Sequence, residues 1–81
     1  MNVDIIKKEV EQNINREVKI TVNGLRNKTN IYTGKIISAY PYIFSVLVDG
    51  DNKSFSYVDV ITHEVEIKYL WLGIAIHLYL L

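Results

Sequence analysis

Cysteine is missing from this sequence altogether. That removes disulfide cross-links, thiolate nucleophiles and cysteine-based zinc sites together. Histidine is nearly missing: His63 and His77 lie in different segments without ligand spacing, so no zinc motif can be read. The four glycines are scattered, which leaves no phosphate-cradling loop, and no serine or threonine sits in a G-x-S-x-G turn. Glu64 and Glu66 share a strand face without a third group that would complete an acid–base set. These absences lead to a non-enzymatic reading without catalytic residues, cofactor or metal. Net charge is also absent: nine basic residues balance nine acidic ones. The whole chain is therefore no simple electrostatic ligand for nucleic acid. The first residues hold Asp4, Lys7 and Lys8 and no apolar core of a signal peptide, so a cytoplasmic protein is expected.

What remains is a small, foldable chain. Of 81 residues 49% are hydrophobic, enough for one small domain. The patterning places that domain over residues 1–69, with an apolar extension over 70–81. Residues 2–14 read as a helix, with Val3, Ile6, Val10 and Ile14 at helical spacing, Asn2 as N-cap, and Asn13 and Asn15 as stop signals. Val18, Ile20 and Val22 alternate with Lys19 and Thr21 in a first strand. A second runs from about Thr29 to Ala39, with Gly34 as the mark of a bend or bulge. Tyr40-Pro41 turns the corner, since proline fixes φ and keeps its predecessor extended. Phe44, Val46 and Val48 alternate in the third strand. Asp49-Gly50-Asp51-Asn52 reads as a hairpin turn, since strands flank it where a calcium loop would need helices. Phe55 and Tyr57 read as core residues of the fourth strand. Val58–Thr62 reads as a tight turn or one 3₁₀ turn capped by the Asp59 side chain. Glu64–Tyr69 reads as the fifth strand, with Val65, Ile67 and Tyr69 inward.

One helix and five short antiparallel strands in about 70 residues predict a mainly β fold, a small five-stranded SH3-like or Sm-like barrel with a short N-terminal α-helix. The apolar extension, Leu70–Leu81, is too short to span a bilayer, which needs about 20 residues. Three readings stay open for it. It is buried against the barrel or a second subunit, it touches a membrane surface through Trp71 and Tyr79, or its sequence is foreign to the domain before it. The first reading predicts a homodimer or larger assembly with Trp71, Ile74 and Ile76 in the contact.

A set of motifs carries a resemblance. Val22-Asn23-Gly24-x-Arg26-x-Lys28 is followed by Gly34, Tyr40-Pro41 and Phe44-x-Val46. Ser54-Phe55-Ser56-Tyr57-x-Asp59-x-x-Thr62-x-x-Val65 closes the series. In this order and spacing, from the N-terminal helix to about residue 69, the chain resembles the Veg family of small Gram-positive bacterial proteins. The resemblance implies an Sm/SH3-like barrel with an N-terminal helix and no enzymatic activity. It also implies a regulatory role in biofilm-matrix gene expression, exerted on a transcriptional repressor. Two departures stand out. Leu25 and Asn27 occupy loop positions where the family carries a second glycine and paired arginines. The extension is apolar where the family ends in a polar, often acidic tail.

Two surfaces follow as candidates for binding. A protein partner, such as a transcriptional regulator, would use exposed aromatic and apolar residues including Tyr32, Tyr42 and Ile43. Nucleic acid would use Lys19, Arg26, Lys28 and Lys35 on phosphate, with Tyr32 or Tyr42 stacked on bases, because residues 16–35 hold five basic groups against Glu17 alone. Gly24, Gly34, Tyr40, Pro41, Phe44, Phe55, Tyr57 and Asp59 read first as determinants of the fold.

Overall fold

The computed structural model describes residues 2–70, which form helix α1 (Val3–Glu11), strands β1 (Glu17–Asn23), β2 (Thr29–Ala39), β3 (Ile43–Val48) and β4 (Asp51–Ser56), helix α2 (Tyr57–Ile61) and strand β5 (Val65–Tyr69). A 3₁₀ turn at Leu25–Asn27 lies between β1 and β2. The expected self-association residues Trp71, Ile74 and Ile76 lie outside the described residues.

α1 starts where Asn2 accepts a 3.0 Å hydrogen bond from the Ile5 backbone N–H, as its cap role predicts. It is shorter than the spacing suggested. Ile14 falls past its end and is exposed, while Asn13 turns inward and donates through Nδ2 to the Glu9 carbonyl at 2.6 Å. A positive φ of 71° at Asn15 then swings the chain into the sheet. Only Ile6 and Val10 of α1 are buried, against the inner face of the sheet.

The sheet is antiparallel throughout, in the order β4-β3-β2-β1-β5. The mainly β class agrees with the sequence, and among the described residues the sheet is open, with β4 and β5 as its two edges. Register sets the faces. Ile20 lies opposite both Tyr32 and Ile67, and Phe44 opposite Phe55. Val18, Ile20, Ile36, Phe44, Val46, Tyr57 and Val65 close the core on the inner face together with α1 and α2. Asp49 (φ 50°) and Gly50 (φ 85°) make a two-residue hairpin turn, the arrangement that suits the twist of paired strands.

Four expectations are corrected. The register shift in β2 lies between Ile36 and Ser38 rather than at Gly34. Gly34 instead permits a close approach, since a Cβ there would run into the Leu47 carbonyl of β3. Tyr57 is fully buried, but as the first residue of α2 rather than in a strand. Residues 57–61 form an α-helical turn where a tight or 3₁₀ turn was expected. Its cap is Ser56, whose hydroxyl accepts from the backbone N–H groups of Val58 at 3.1 Å and Asp59 at 3.4 Å. Asp59 supplies negative charge in the first turn and accepts the Thr62 hydroxyl on its carbonyl.

Candidate partner-binding groove

The edge of β4, which only β3 pairs among the described residues, borders a depression. Parity along the strands decides which backbone groups face it. The Tyr40 N–H donates to the Ile43 carbonyl, so Ile43 turns its backbone toward β2. The Tyr57 N–H donates to Tyr42, so Tyr42 turns the other way. Alternation then points the backbones of Phe44, Val46 and Val48 at β4, where they meet Phe55, Lys53 and Asp51. Asn52 and Ser54 are left with their N–H and C=O groups directed away from the sheet.

Beside that edge lies a cleft of about 560 Å³. Val22, Tyr32, Phe55 and Val65 give it an apolar floor, and Lys53, Ser54, Ser56 and Asp59 form its polar border. The floor continues into the core as an aromatic ladder. Ring centroids are 6.2 Å apart for Tyr32–Phe55, 5.7 Å for Phe55–Phe44 and 5.6 Å for the stacked pair Phe44–Tyr57. Such contacts hold side chains rigidly, at about 0.5–1.5 kcal/mol per pair beyond burial. Lys53 lies across the rim with its Nζ 4.9 Å from the Tyr32 ring centre, within cation–π range. The groove therefore combines a strand edge unpaired among the described residues, flat aromatic surface and one charge of each sign. Among the described residues no group of three or more His, Asp or Glu side chains could hold a metal ion.

The residues singled out for binding do not form one surface. Lys19 lies opposite Thr33 on the outer face, and Lys35 lies opposite Glu17 on the same face. Tyr32 faces inward, into the groove. Arg26 and Lys28 sit on the loop after β1, with Arg26 in a left-handed conformation (φ 58°) beside an exposed Leu25. Tyr42 is 81% exposed at the corner between β2 and β3, at the opposite end of the strands. Lys53 and Ser54 were missed. Reading β4 back from the Asp49-Gly50 turn would have placed Lys53 inward beside Phe55, and Ser54 outward at the edge.

A family model described as biofilm formation stimulator VEG matches residues 1–68. The chain belongs to the Veg family. No match is found among curated proteins. The matched span of this Veg-family chain includes α1, all five strands but the last residue of β5, and the whole groove. It ends before the apolar extension begins. The family description is one of stimulation, a regulatory role. No helix among the described residues is long and apolar enough to cross a membrane.

Proposed function

We propose that this Veg-family chain is a non-enzymatic, cytoplasmic regulator that acts by binding a protein partner, and that the β4 groove is where the partner docks. The occupant would be an extended segment of a protein that controls transcription, such as a repressor of biofilm-matrix genes. The observation that carries the reading is the edge at Asn52 and Ser54, unpaired among the described residues, beside the Tyr32–Phe55 floor. An added strand gains main-chain hydrogen bonds from the edge, and alternate side chains reach the aromatic floor. Lys53 and Asp59 favour a segment with charge of both signs over a uniformly acidic or basic one.

The test uses Ser54→Pro. The Ser54 N–H makes no bond to β3, so proline there leaves the ladder intact and blocks an added strand. Cells lacking the gene are complemented with each variant, and a matrix-gene reporter is read. The expected result is loss of stimulation with Ser54→Pro, together with unchanged circular dichroism of the purified variant. Arg26→Ala with Lys28→Ala should leave the reporter unaffected. The reverse pattern, accompanied by nucleic-acid binding that weakens steeply with salt, would move the function to an Sm-like nucleic-acid surface.

A further inference from the structure

The opposite edge strand of the described sheet, β5, carries an unusual sequence for its position. Its residues are Val65, Glu66, Ile67, Lys68 and Tyr69. The Leu70 N–H donates to the Glu17 carbonyl and the Asn23 N–H to the Glu64 carbonyl. Alternation between these two bonds directs the backbones of Glu66 and Lys68 toward β1. The backbones of Val65 and Ile67 point outward, where no strand among the described residues meets them. The side chains of Glu66 and Lys68 stand on the outer face, and those of Val65, Ile67 and Tyr69 on the inner face.

The pattern is symmetric about Ile67 in polarity and antisymmetric in charge. If a second β5 is placed antiparallel across a two-fold axis at Ile67, Ile67 meets Ile67. Val65 meets Tyr69, Glu66 meets Lys68, and Lys68 meets Glu66. Both outer-face pairs join opposite charges, and all three inner-face pairs are apolar. Inside the chain Lys68 has the reverse situation, since its cross-strand neighbour on β1 is Lys19. Like charges directly opposite are unfavourable in a sheet. A lone lysine usually guards an edge against pairing. Here Glu66, two residues away on the same face, cancels that protection for one partner, a second copy in this register.

We infer that β5 is a self-complementary edge through which two copies of this chain pair antiparallel about Ile67, with Glu66 of each copy opposite Lys68 of the other. The contact lies at the other end of the sheet from the β4 groove and is argued independently of it. A pair of five-residue edges falls short of the ~1,000 Å² of a stable interface, so association is weak and concentration-dependent.

Sedimentation equilibrium on the full chain tests the pairing. Lys68→Glu removes the repulsion with Lys19, so the fold should persist, but in the dimer it sets Glu66 of each copy against a second carboxylate. The dissociation constant should rise about tenfold or more. Glu66→Lys combined with Lys68→Glu should restore it. Association driven by residues 71–81, which carry no Asp, Glu, Lys or Arg, would ignore both changes. A second readout uses the absence of cysteine. Ile67→Cys should form a covalent dimer on mild oxidation, because directly opposite Cα atoms in a hydrogen-bonded pair lie about 5.5 Å apart, within disulfide reach. A Thr33→Cys control on the outer face should not. Wild-type chain that stays monomeric, association indifferent to Lys68→Glu, or equal cross-linking at positions 33 and 67 would each overturn the inference.

Discussion

The Tyr57 hydroxyl donates a 2.7 Å hydrogen bond to the backbone carbonyl of Tyr40. That bond ties the first residue of α2 to the corner between β2 and β3. It also gives the buried ring a partner for its polar end, and Phe44 stacks on its face. Two motifs 17 positions apart in the chain, Tyr40-Pro41 and Ser-Phe-Ser-Tyr, thus form one structural unit. Their joint appearance is explained by folding before any binding role is invoked.

Tyr57→Phe keeps the ring and leaves the Tyr40 carbonyl without its partner. The expected loss is about 1–2 kcal/mol, read as a lower urea midpoint at constant slope. Tyr57→Ala would cost about 3–5 kcal/mol through the cavity it opens in the ladder.

Alkaline stability follows from two phenols. Burial raises the Tyr57 pKa above its ordinary value, with Glu11 adding to the rise and the bond to Tyr40 opposing it. Burial and then Glu9 raise Tyr69 in the same direction. The folded state therefore holds these protons more tightly than the unfolded chain. Their contribution is complete below the ordinary tyrosine pKa of about 10 and is lost as pH climbs through the raised folded values. Urea midpoints should be flat from neutrality to about pH 9 and fall beyond about pH 10. Tyr57→Phe should make that fall shallower.

Gly34→Ala tests the crossing of β2 and β3. A methyl group would meet the backbone carbonyl of Leu47, an atom that cannot move without breaking the Lys35–Leu47 register. A loss of about 2–3 kcal/mol is expected in chemical denaturation, in the range of overpacked cores. Gly50→Ala meets nothing within 4 Å and should cost about 1 kcal/mol or less, from its positive φ alone.

Ser56→Ala removes the side-chain acceptor for two N–H groups at the start of α2. The expected cost is about 1 kcal/mol. Asp59→Asn, which keeps the Ser56 cap, should cost no more than a few tenths of a kcal/mol through the helix dipole. A larger effect for Asp59 than for Ser56 in thermal melts would reverse the capping assignment.

Much of the fold was legible without coordinates, because alternation and helical spacing are local. Val18, Ile20 and Val22 announced their strand, and the Asp49-Gly50 pair announced its hairpin. Asn2 announced the start of α1. The misreadings came where two local signals competed. Phe55 and Tyr57 share strand spacing, but the Ser56 hydroxyl captures the following N–H groups and turns the chain into a helix at Tyr57. Gly34 carries the mark of a bulge, yet the shift falls at Ile36–Ser38, because the space at Gly34 is claimed by a carbonyl of another strand.

The candidate sites were less legible. Sequence alone determined which residues alternate, where charge concentrates, and that the chain holds no thiol. Those are properties of short stretches, and the covalent chain sets them. Only the tertiary structure decided that β4 and β5 end up as the edges of the described sheet, that Lys53 reaches Tyr32 across the sheet, and that Lys68 faces Lys19. Lys19, Arg26, Tyr32 and Tyr42, grouped by composition, were likewise sent to different faces and ends. Strand order and register join residues dozens of positions apart, and their free energy comes from burying the whole inner face at once.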